Sequence, residues 1–120
     1  MMMIEFLHNK LQIFSKKKKD WIYQQTGLDV FRFAQLQLSS EPFNSKRKRV
    51  TEFGDQESNY CLAYRTWRII FQADHKNQSI SILDICSGYT EADLEQRTED
   101  KYNDKDIHRA YNLNVQEFAF

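Results

Sequence analysis

One proline and three glycines among 120 residues leave little material for a loop-rich scaffold, so regular elements joined by short polar turns are expected. Only two cysteines are present, Cys61 and Cys86, with neither CxxC nor Cys/His ligand spacing, which excludes a disulfide scaffold and makes buried free thiols the default reading. His8, His75 and His108 are scattered without zinc spacing, and no metal site or small-molecule cofactor is expected. A glycine-rich phosphate loop, GxSxG and HExxH are all missing, which removes the usual sequence support for nucleotide hydrolases, α/β-hydrolases and zinc proteases. Long apolar runs are missing too. The stretch from Met1 to His8 is too short to cross a bilayer, is interrupted by Glu5, and lacks the basic start and cleavage site of a signal peptide. A cytoplasmic location without membrane attachment is the expectation.

What is present suits one folded unit. Hydrophobic residues make up 41% of the chain, with nine Phe, six Tyr and two Trp, enough apolar surface to offset the ordering entropy of most of its length. The zero net charge hides an asymmetry: residues 1 to 50 carry a local +6 and residues 51 to 120 a local −6. One half therefore suits a polyanion that the other repels.

Met2 to Leu7 reads as a short strand. Leu11, Phe14, Lys18, Trp21 and Ile22 then recur at three- and four-residue spacing and predict a helix ending near Gly27, with Lys16 to Lys19 mostly on its other faces. Asp29 can cap a second element over residues 30 to 38. Its alternation of Phe31, Phe33, Leu36 and Leu38 would also suit a strand; helix is preferred. After Pro42 comes a polar loop to Asn59 with a short strand around Val50 to Phe53. Tyr60–Tyr64, Trp67–Ala73 and Ser79–Cys86 are rich in β-branched and aromatic residues, and the short links at Arg65-Thr66 and at 74 to 78 predict a three-stranded antiparallel meander. Thr90 can open a further helix, with another turn or two over 106 to 111. The fold class is thus α+β: a small antiparallel sheet made of an N-terminal strand and the meander, two N-terminal helices packed on it, and a C-terminal helix or tail. Residues 1–97 form the domain and 98–120 an acidic extension.

The order strand, two helices, basic loop and three antiparallel strands resembles that of the RelE/ParE toxin superfamily. The likeness is carried by residues 60 to 71, above all Trp67-Arg68-Ile69-Ile70-Phe71, followed by residues 80 to 85. Glu41-Pro42-Phe43-Asn44-Ser45-Lys46 is similar to a Pro-Phe loop of YoeB-like members. The resemblance implies a toxin of a toxin–antitoxin system, a metal-independent endoribonuclease acting on ribosome-bound mRNA, with a cognate antitoxin as partner. It also implies an alternative, a non-catalytic binding module on the same fold, such as a gyrase inhibitor or a regulator that binds nucleic acid or protein.

Arg68 occupies the position that contacts the attacked phosphate in RNA-cleaving members, and its planar fork of donors suits a phosphate gaining charge. Tyr89 lands near the family's acid position and Glu52 is the best-placed base, completing a candidate catalytic set of Arg68, Tyr89 and Glu52. Lys46, Arg47, Lys48, Arg49 and Arg65 are the candidate nucleic-acid-binding residues, since clustered cations release counterions when they meet phosphates. Tyr60, Tyr64 and Trp67 can stack on unpaired bases, although packing in the core or on a sheet face is the commoner role of such aromatics. The chain departs from the pattern at Cys61 and Ala63, where RelE-like enzymes carry lysines, and near the last strand, where YoeB-like enzymes end with a basic residue and a His and this chain offers Ser87, Gly88 and Tyr89. The tail from 91 to 120, with eight acidic and four basic residues, is expected to lie across the basic loop and weaken polyanion binding.

Overall fold

A computed structural model describes residues 3–5, 10–38, 50–52, 54, 59–74, 79–96 and 99–115, with the side chains of 3–5 and 10–15 left aside. In chain order these form β1 (Met3–Glu5), α1 (Lys10–Thr26), α2 (Val30–Leu38), β2 (Val50–Glu52), β3 (Asn59–Tyr64), β4 (Trp67–Asp74), β5 (Ser79–Ser87), α3 (Glu91–Glu95) and α4 (Lys105–Asn114). The architecture is α+β, as the sequence predicts. The sheet has five strands in the order β1-β5-β4-β3-β2. The meander β3-β4-β5 is antiparallel throughout, β2 joins β3 antiparallel, and β1 lies parallel to β5.

Local chemistry sets the boundaries. Gly27 takes φ 76° at the end of α1, where a side chain would be strained, and its N–H closes on the Tyr23 carbonyl at 2.8 Å. Asp29 caps α2 by accepting from the Arg32 N–H at 3.0 Å. The ambiguous segment is a helix because its buried residues, Val30, Ala34 and Leu38, recur every fourth position. Thr90 and Asp93 form a reciprocal capping box at α3, each side chain accepting from the other's backbone N–H.

Alternation along the strands divides the sheet into two faces. Trp67, Ile69, Phe71 and Ala73 of β4 turn toward the helices and join Leu62, Ile80, Ile82 and Ile85 in one core with Ile22, Val30, Ala34 and Leu38. Tyr111 of α4 belongs to the same core, its ring edge-on to Trp67 at 4.9 Å and tilted against Trp21 at 5.5 Å. Between Ile70 and Phe71 the register slips: Ile70 faces Asp84 but Phe71 faces Ile82, so Leu83 is an extra residue in β5. The bulge keeps Ile82 and Ile85 both in the core although they are three apart.

Lys18, on the apolar side of α1, is 5% exposed and its Nζ reaches Asp84 Oδ1 at 2.5 Å. Among the described residues β5 runs six residues beyond its pairing with β1, and other groups meet its outer edge. The Ile85 N–H donates to Asp84 Oδ1 at 2.8 Å, and the Ile85 carbonyl accepts from the Tyr111 hydroxyl. No helix among the described residues is long and apolar enough to cross a membrane.

Candidate functional site

Arg68 stands opposite Ala63 on one side and Cys86 on the other, which places it on the sheet face away from the core. It is half-buried. Its Nη1 donates to the carbonyls of Arg65 at 2.9 Å and Trp67 at 2.8 Å, so one end of the guanidinium is fixed to the β3–β4 turn. Among the described residues no carboxylate pairs with it. The turn itself is tight, with Arg65 at φ 54° and exposed.

Gly88 makes this placement feasible. A Cβ there would lie 2.7 Å from the Thr66 carbonyl oxygen and 2.9 Å from both Cζ and Nη1 of Arg68. The Gly88 N–H donates to that same Thr66 oxygen at 2.7 Å, which holds the end of β5 against the turn. Arg68 therefore lies over residue 88, next to Tyr89 in the chain. Its charge is felt at Cys61, whose thiol is raised by burial and partly brought back by Arg68.

Tyr89 is held in a network centred on α4. Its hydroxyl donates to Asp104 Oδ1 at 2.7 Å, and Thr66 donates to Asp104 Oδ2 at 2.5 Å. His108, with no exposed surface, stacks on Trp67 at 3.9 Å and meets the Tyr89 ring edge-on at 4.8 Å. Its Nδ1 lies 2.5 Å from Ser87 Oγ and its Nε2 2.9 Å from Thr66 Oγ1. Because the Thr66 hydroxyl proton goes to Asp104, the Thr66 oxygen accepts from Nε2–H, which leaves Nδ1 to accept from Ser87. Burial holds the imidazole below its usual pKa, against the raising effect of Asp104. The Tyr89 phenol is pushed up by burial, by its bond to Asp104 and by that carboxylate's charge. A raised phenol already donating to a carboxylate is a poor proton donor to anything else.

Of the candidate catalytic set, Arg68 and Tyr89 are brought together, with Gly88 between them. Glu52 is not. It pairs with Tyr60, which pairs with Phe71, so it shares the core-side face while Arg68 is on the other. Two strand spacings and three residues along the sheet put the two roughly 14 Å apart. Lys46, Arg47, Lys48 and Arg49 lie outside the described residues; Arg65 is at the turn beside Arg68. Tyr60 and Trp67 are core-side aromatics, Tyr60 stacked with Phe71 at 5.5 Å. No group of three His, Cys, Asp or Glu among the described residues could hold a metal ion. Sequence reasoning missed Gly88, Asp104 and His108 as parts of the site; the four-residue spacing of Asp104 and His108, which puts them on one helix face, was the available signal.

No family model matches the sequence, and no curated protein does so significantly. Among solved structures, the chain matches one from the crystal structure of the RelBE2 toxin–antitoxin complex of Mycobacterium tuberculosis, with a TM-score of 0.54. The match covers 72% of this chain and 96% of that one at 15% identity. The chain shares its fold with a chain of that toxin–antitoxin complex. At that identity the likeness extends to architecture and not to individual side chains.

Proposed function

We propose that this chain is the toxin-type member of a toxin–antitoxin pair and that it holds RNA through Arg68, on the sheet face away from the core. The observation that carries this reading is the state of that arginine: anchored at Nη1 by two backbone carbonyls, with no carboxylate partner among the described residues. An arginine kept for an internal ion pair would be neutralised. One fixed at a single end is oriented in advance for an incoming phosphate. Lys46 to Arg49 and Arg65 would add attraction that depends on salt and not on sequence. The cognate antitoxin then acts by covering this face.

A second reading, endonucleolytic cleavage of ribosome-bound mRNA, is favoured by one contact, that of the Arg68 guanidinium with Gly88 beside Tyr89. In that reaction the ribose 2′-hydroxyl attacks the phosphate, Arg68 stabilises the added negative charge, and the departing 5′-oxygen takes a proton. Tyr89 would have to leave Asp104 to supply it, and Glu52 is on the wrong face to take the 2′ proton. Holding RNA is accordingly the better-supported activity.

The test compares the wild-type chain with Arg68→Ala and Arg68→Lys for binding to single-stranded RNA across a salt series. Loss of one phosphate contact should reduce the slope of log affinity against log salt by about 0.7 in Arg68→Ala. Arg68→Lys should keep the slope but bind more weakly, because a point charge lacks the fork. Equal affinity and slope in all three would sink the reading. Fragments of ribosome-bound mRNA ending in a 5′-hydroxyl would establish cleavage instead, and DNA-damage signalling on expression would point to gyrase.

A further inference from the structure

At the end of the sheet where β3 turns into β4, an open cleft of about 760 Å³ lies between the end of α1, α2 and the start of α4. This is the size range of sites for small organic molecules. One wall is aromatic: Phe33 and Tyr64 stack at 3.8 Å and 13° and present a flat apolar surface. On the rim stand Tyr102, which is 62% exposed, and the exposed amide side chains of Gln25 and Asn103. Neither amide has a hydrogen bond within the protein among the described residues, and neither does the Arg65 guanidinium, which is also on the rim. Asp104 also lines the cleft, beside Thr66, with its oxygens taken by Tyr89 and Thr66.

Two features mark the cleft as more than a gap in packing. The non-glycine residues with positive φ among those described are Arg65, at 54°, and Asn103, at 53°, and both line it. Backbone held in this region costs free energy and is concentrated at ligand sites. The cleft is also continuous with the Arg68 face. Ala63, the cross-strand partner of Arg68, and Arg65, whose carbonyl accepts from Arg68 Nη1 at 2.9 Å, are both on the cleft wall.

A flat apolar wall, free amides that can pair with a ring edge, and a free guanidinium at one end together match a planar heterocycle carrying a phosphate. We propose that the cleft takes one unpaired nucleotide of an RNA strand. The base lies against Phe33, Tyr64 and Tyr102, its edge meets Gln25 and Asn103, and its phosphate sits at the Arg65 guanidinium. The neighbouring phosphate passes round the Arg65 turn to Arg68, whose Nη1 is held at the Arg65 carbonyl. The inference rests on the RNA reading for the strand, whereas a free nucleotide interrogates the cleft without it.

The experiment titrates the full chain with AMP, GMP, CMP and UMP, following tryptophan fluorescence, to which Trp67 on the cleft wall contributes alongside Trp21. It then repeats the series with Gln25→Ala, Tyr102→Ala and Arg68→Ala and with a short single-stranded RNA. Gln25 and Tyr102 are exposed, so their removal leaves the fold intact. Saturable binding of at least one mononucleotide is expected, weakened about tenfold by Tyr102→Ala and less by Gln25→Ala. Arg68→Ala should bind the mononucleotide as the wild type does and lose affinity for the RNA. Absence of saturable mononucleotide binding, or binding indifferent to both rim substitutions, overturns the cleft assignment even if RNA is bound. Mononucleotide binding lost with the rim residues, but no RNA binding, upholds the cleft and overturns the Arg68 reading.

Discussion

Ser87 Oγ lies 2.5 Å from Nδ1 of His108, a contact between the last residue of β5 and the middle of α4 that depends on a neutral imidazole. Protonation would place a second N–H where Ser87 donates. It would also put a buried charge against Trp67, within the field of Arg68, with Asp104 and Asp100 to offset it. The folded pKa lies below the ordinary 6.5, so the unfolded chain binds the extra proton first as pH falls. The stability of the neutral contact is complete above that pH and is lost as pH descends through the folded value. Urea midpoints of the wild type should therefore fall more steeply than those of His108→Gln below pH about 6.5. Parallel pH profiles would remove His108 from this role.

Tyr111→Phe keeps the ring against Trp67 and Trp21 but strips the donor from the buried Ile85 carbonyl. An acceptor left unsatisfied costs about 1–3 kcal/mol. The substitution should lower thermal and urea midpoints accordingly, with faster hydrogen exchange along β5 as its local signature.

Gly88→Ala separates positioning from charge. The new methyl would meet the Thr66 carbonyl, which is backbone and cannot swing aside, and the Arg68 guanidinium, which can. A destabilisation of about 1–3 kcal/mol is expected, together with loss of RNA affinity although every charge remains. Affinity equal to that of the wild type would mean that the resting place of Arg68 is irrelevant to binding.

Cys86 tests the Lys18–Asp84 pair. Burial, with the charge and hydrogen bond of Asp84, pushes its thiol up to about 12. Alkylation at mildly alkaline pH should therefore be slow. Asp84→Asn should speed it, measured by mass after timed iodoacetamide treatment; an unchanged rate would show that burial alone protects the thiol.

The meander and helices were legible because each strand run is dense in β-branched and aromatic residues and each helix repeats its apolar positions every three or four. The position of Arg68 followed from its place in β4. What could not be read was parity. Whether Glu52 shares a face with Arg68 depends on which residue of β3 it opposes, and the loop between β2 and β3 gives no rule for that register. The network around His108 was equally hidden, since Thr66, Ser87 and Asp104 lie up to 42 residues from it and meet only once α4 has docked.

The long outer margin of β5 has a consequence for solution behaviour. Its backbone groups at Ile85 are occupied by a carboxylate from its own strand and a phenol from α4, so a strand from another molecule finds neither donor nor acceptor there. The last helix thus serves as a barrier to intermolecular β-pairing. Chains shortened before residue 105 should pass from dispersed protein to aggregates at concentrations the full-length form tolerates.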